Sequence, residues 1–197
     1  MRTILNNYSK IILIFLLGYC LLLNLFQLSQ QHWSSILDQD SVVIYNSLLL
    51  SSGYEQEYRG HPGFTTFFII GIIFKFFSIF YENFSIQGIL ISNNIEDDLQ
   101  SLFIIARVIN SFFNFLLILV LYKILRKLNL KKNICIISVL LLVFYSSFYE
   151  LLFMLRSELL SVLMALISFY YLLKFIKNKE KLLSIFYSGF FCCLAIL

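Results

Sequence analysis

The chain has 197 residues, 60% hydrophobic and only 13% charged, with a formal net charge of +4 and a mean hydropathy of +0.86. Soluble domains run at about 45–50% apolar and about 25% charged residues, so this much apolar surface excludes an ordinary water-soluble fold and makes lipid the expected solvent. The basic residues sit at the ends of apolar runs, where membrane topology accounts for them, and nothing suggests nucleic-acid binding. Cys20, Cys135, Cys192 and Cys193 all lie within apolar runs and read as small buried hydrophobes, not as a disulfide framework or a zinc site.

The first apolar run, Ile11 to Phe26, follows Arg2 and Lys10 and has no A-x-A-like cleavage site after it. It therefore reads as an uncleaved span over about 10–28 rather than a signal peptide. Further apolar runs cover 63–81, 101–124, 134–153, 157–176 and 182–197, against the roughly 20 residues a helix needs to cross. The last run stops at Leu197 without a polar flank, so the chain is expected to be the N-terminal part of something longer.

Charge orders these runs. The basic clusters are Arg2 with Lys10, Lys123 to Lys132, and Lys174 to Lys181, whereas residues 29–100 hold eight acids and only Arg59 and Lys75 as bases. Short-loop Lys and Arg belong on the cytoplasmic side. Every basic cluster falls there only if 63–81 does not cross, and Lys75 near its middle argues the same way. The expected architecture is thus all-α: a polytopic helix bundle with spans at about 10–28, 101–124, 134–153, 157–176 and 182–197, a cytoplasmic N-terminus, and a long external loop, 29–100. Within that loop Asp40 reads as the N-cap of an apolar helix, Ser41 to Ser51. Gly53 breaks it, and Pro62 opens a second, interfacial helix.

Several residues there could carry chemistry. Asp38 and Asp40, just beyond the first span, would suit a general base in a partly desolvated place, or a helix cap beside a solvated acid. Arg59 and His61 flank Gly60 and would suit a phosphate, or belong to a turn that needs Gly and Pro. Glu150, Arg156 and Glu158 crowd a short external turn, as an ion pair, as a helix-terminal acid, or facing a polar cavity. Arg107 either snorkels to the surface or points inward at a lipid phosphate. Asp97 and Asp98 read as a solvated helix start, and Asn83-Phe84-Ser85 matches a glycosylation sequon of low specificity.

Taken in order, DQDSVVIYN containing Asp40, then Gly53-Tyr54, HPG at 61–63, ARVIN at 106–110 and RSELLSVL at 156–163 resemble the N-terminal half of the membrane module of GT-C glycosyltransferases. The resemblance is greatest to the dolichyl-phosphate-mannose protein mannosyltransferase and aminoarabinose transferase branch, and it spans nearly the whole chain. It implies transfer of a sugar from a polyprenyl-phosphate donor to an acceptor hydroxyl on the external face, with inversion. Asp40 would be the catalytic base with Asp38 as its understudy. Tyr54, Arg59 and His61 would line the site, Glu158 would face the same cavity, and Arg107 and Arg156 would hold lipid phosphate. The family's acidic pair is adjacent, whereas Gln39 separates the two acids here. Some relatives bind a divalent metal ion, but no ligand set compels one. The rival readings are a non-catalytic membrane subunit and a flippase or polymerase component of surface polysaccharide.

Overall fold

The computed structural model describes residues 32–35, 38–57, 63–145, 154–177 and 182–196, together with positions 15, 18, 19, 22, 26 and 148. Among these residues the chain is all-helical, with no strand. Its α-helices are α1 (Asp38–Ser51), α2 (Phe64–Phe77), α3 (Ile86–Ile91), α4 (Ile95–Lys127), α5 (Lys132–Val143), α6 (Ser157–Lys177) and α7 (Leu182–Ile196). Single 3-10 turns lie at Trp33–Ser35 and Glu82–Phe84. The expected first span, 10–28, falls outside the described residues apart from Phe15, Gly18, Tyr19, Leu22 and Phe26, which are helical.

Among the described residues two helices, α4 and α6, are long and apolar enough to cross a membrane. The 33 residues of α4 rise about 50 Å, more than the roughly 30 Å hydrocarbon core. Glu96, Asp97 and Asp98 stand in its first turn and Arg126 and Lys127 in its last, each sign at the end the helix dipole favours. The helix begins at Ile95, six residues before the apolar run at 101–124. Arg107 is the only charged residue between Gln100 and Tyr122.

The 63–81 run forms a shorter helix than hydropathy suggests. The 14 residues of α2 reach about 21 Å, too little to cross. Lys75 falls in its last turn, not its middle, where a cation is favoured. The helix does not simply lie on a surface: it packs between α1 and α6, and Phe67, Ile70 and Phe74 are fully buried. In the expected span at 134–153 only part is described, and Phe148 within it is helical. Its described helix is the 12-residue α5, and residues 146–153 other than Phe148 lie outside the described residues.

Two apolar cores follow. One joins α1, α2 and the first half of α4 around Val43, Phe67, Phe74 and Leu102. The other joins α4, α5 and α6 around Leu117, Val139 and Leu160. α7 packs along α6, where the Ser168 hydroxyl donates to the Ser188 carbonyl at 2.8 Å. The basic ends of α4 and α6 meet: the Lys177 ammonium donates to the Lys127 carbonyl and, at 3.0 Å, to Asn129 Oδ1. α4 and α6 therefore run parallel with their basic ends together.

The chain turns sharply after α1. Gly53 has φ 80°, a region where a side chain costs about 1–2 kcal/mol. From there the Gly53 N–H reaches Leu50 O (3.2 Å) and the Tyr54 N–H reaches Leu49 O (2.9 Å), satisfying two terminal carbonyls of α1. The polar segment beyond folds back on the helix it left. Glu57 N–H donates to Asn46 Oδ1 at 3.0 Å, and Tyr45 Oη donates to Glu57 Oε1 at 2.9 Å. That carboxylate acceptor pushes the Tyr45 phenol above its ordinary range.

A candidate site where three helices hold one turn

The segment leading into α6, residues 154–157, is held by side chains from three other helices. Asn110 Nδ2, on α4, donates to Met154 O at 2.8 Å. The Leu155 N–H donates to Asp40 Oδ1, on α1, at 2.7 Å. Thr66 Oγ1, on α2, donates to Ser157 O at 3.3 Å. The N–H groups ahead of a helix have no intrahelical acceptor, so the Asp40 carboxylate supplies one across 115 residues of sequence.

Its other oxygen, Oδ2, accepts from Arg107 Nε at 2.9 Å, with the two side chains 0% and 1% exposed. The guanidinium also lies over the Phe103 ring, 5.3 Å from its centroid. Burial pushes the Asp40 carboxyl above the usual carboxylate range, while the Leu155 N–H, Arg107 and Arg156 pull it partly back. Along α4 the polar side chains Arg107, Asn110, Ser111 and Asn114 are all buried. Their spacing of three, four and seven puts them on one face, turned away from lipid as polar groups in apolar helices are.

The predicted site residues divide. Asp40 and Arg107 come together, and Arg156, half-buried, lies close enough to influence Asp40. Its Nη2 sits 3.6 Å from Met154 Sδ. Glu158 is exposed in the first turn of α6, and Ser157 Oγ donates to it at 3.4 Å. Asp40 is not an N-cap, because α1 begins at Asp38 and Asp40 lies inside its first turn. Nor does it stand at an open mouth, since both oxygens face protein donors. Arg107 does not snorkel: it is 1% exposed, with its Nε donating to Asp40 Oδ2. Tyr54, half exposed, follows the far end of α1, about 16 Å of helix rise from Asp40, so helix length keeps it out of this cluster. Asp38 opens α1. Arg59, His61 and Glu150 lie outside the described residues.

Asn110, Asn114 and Thr66 are not among the candidates read from the sequence. The signal for the two asparagines was present in the sequence: polar residues recurring at helical spacing with Arg107 inside an apolar run. Thr66 carried no such signal. The two expected helix-start acids have partners, Asp98 with Asn83 Nδ2 at 2.9 Å and Asp97 with Asn94 Nδ2. Among the described residues no three His, Cys, Asp or Glu side chains gather as metal ligands.

No protein-family model, no curated protein and no solved structure matches this chain.

Proposed function

We propose that the chain belongs to a multi-pass membrane glycosyltransferase that moves a sugar from a polyprenyl-phosphate donor to an acceptor hydroxyl on the external face. The observation that carries this reading is the buried Asp40–Arg107 pair, joined to the turn that bears Arg156 and Glu158. Intramembrane or near-membrane ionisable groups are costly, and they mark functional sites more often than ordinary surface charges do.

In the proposed reaction the Asp40 carboxylate takes the proton of the acceptor hydroxyl. The oxygen forms its bond to the anomeric carbon as the bond from that carbon to the phosphate oxygen breaks, inverting the centre. The departing phosphate carries away the electron pair near Arg156 and the positive end of α6. A carboxyl whose affinity for protons is raised by burial makes a better base. In the conformation described, Asp40 is closed, so the acceptor reaches it only when the 154–157 segment lifts. The juxtaposed basic ends of α4 and α6 support a cytoplasmic placement of those ends, with the N-terminus on the same side and residues 29–100 outside.

A second reading has its own support. Both Asp40 oxygens are engaged and fully buried, which suits a structural clamp in a non-catalytic membrane subunit. Incubating the full protein with a polyprenyl-phosphate sugar and an acceptor library separates the two. The transferase reading expects a product of inverted anomeric configuration. A retained configuration, or no transfer from any such donor, contradicts it. A reporter fused at Ser92 should report the external side, and a cytoplasmic signal would overturn the topology.

A further inference from the structure

The two oxygens of Asp40 are engaged in different ways. Oδ2 accepts from Arg107 Nε, and that guanidinium cannot leave without stranding a buried charge. Oδ1 accepts the Leu155 N–H at 2.7 Å, an uncharged donor that water can replace. With the Asp40 side chain 0% exposed, an acceptor hydroxyl has no route to either oxygen while Leu155 stays. A hydroxyl about to be deprotonated places its own oxygen at about 2.5–2.7 Å from a carboxylate. The Leu155 N–H therefore stands where the acceptor has to come.

The hold on that segment is local. Residues 154–156 precede the first residue of α6, outside its ladder of backbone bonds. Asn110 Nδ2 secures one end, at Met154 O and 2.8 Å. Thr66 Oγ1 secures the other, at Ser157 O and 3.3 Å, longer than the usual hydroxyl bond of about 2.5–3.0 Å, so this end is the weaker. Between them the Leu155 side chain is fully buried, in the core that also holds Val43, Phe67 and Ala106. Segments of this kind open at a lower free energy than the helices around them.

We infer that residues 154–157 form an autoinhibitory latch: closed, the Leu155 N–H holds the Asp40 oxygen that the acceptor hydroxyl needs, and the latch opens from its Thr66 end while α4 and α6 stay folded. The inference rests on the role of Asp40 proposed above. The acceptor binds only the open form, so its apparent affinity is reduced by the fraction that is open. A variant that loosens the latch binds the acceptor more tightly, whereas losing a bond that merely supports an active site weakens binding or slows turnover.

The test reads the Leu155 amide directly, by hydrogen exchange of the full protein in nanodiscs, resolved residue by residue with electron-transfer fragmentation. Corrected for intrinsic rates, Leu155 should exchange at least about ten-fold faster than Leu163, buried inside α6, because local opening precedes global unfolding. Thr66→Val keeps the side-chain shape and removes the hydroxyl. It should speed Leu155 exchange about five-fold further, the factor one ordinary hydrogen bond is worth, and leave Leu163 unchanged. In sugar transfer it should lower the acceptor KM by the same factor without lowering kcat. Leu155 exchanging only as fast as Leu163 in the wild type, or no gain at Leu155 in folded Thr66→Val, would overturn the latch whatever the transfer assay shows. So would an acceptor KM that stays or rises in folded Thr66→Val while the wild type is active. A wild type that transfers no sugar contradicts the proposed function instead, and the exchange result then decides the latch alone. If Thr66→Val does not fold, Leu155→Val, which trims the buried anchor by one methylene, takes its place under the same criteria.

Discussion

Arg107 is a guanidinium held at 1% exposure inside an apolar helix, and only a close anion makes that position tolerable. Asp40 provides it, and in doing so pins α1 to α4 and, through the Leu155 N–H, to the start of α6. Removing one partner leaves the other charge buried without compensation, a loss of about 3–5 kcal/mol, while replacing both with apolar groups is often neutral or better. Asp40→Leu should therefore destabilise the protein strongly, and Asp40→Leu with Arg107→Met should recover most of the loss in detergent denaturation. Additive losses in the double variant would show that the pair is not coupled. Arg107 and Asp40 were each visible in the sequence as candidates, but nothing in one sequence reveals that residues 67 positions apart meet. The asparagines on the same face of α4 were readable by spacing, because a polar stripe in an apolar helix has to turn inward.

At the scale of elements, hydropathy located helices better than it bounded them. The run at 157–176 became α6, Ser157–Lys177, because its apolar stretch and its helix coincide. For α4 they do not coincide: Glu96, Asp97 and Asp98 look like loop residues to a hydropathy scale, yet acids in a first turn stabilise a helix. The same limit applied to Asp40, whose place just before an apolar run resembled a cap although the helix had already begun. Gly53 was the reliable boundary, since its positive φ ends α1 and turns the chain back toward Tyr45 and Asn46. Gly53→Ala should lower stability by about 1–2 kcal/mol through the strained left-handed conformation alone. A loss near zero, measured by thermal unfolding in detergent, would mean that the turn is not fixed there.

Across the whole molecule, large apolar side chains stay exposed on α5, α6 and α7, among them Ile137, Leu141, Phe169, Phe186 and Phe190, the kind of surface that marks contact with a membrane or another protein. Inside it lies one polar hub. The all-α class followed from composition, but the hub's closure did not, because it depends on α1, α2 and α4 converging on three backbone positions of a turn. That convergence gives the account both its proposed base and the shield over it. The most direct measurement is the initial rate of sugar transfer from a polyprenyl-phosphate donor by the full protein and by Asp40→Asn, normalised to folded protein in the same membranes. The substitution should slow transfer by at least about 10²-fold, the contribution of a positioned general base. A folded Asp40→Asn protein that transfers sugar at the wild-type rate would contradict it.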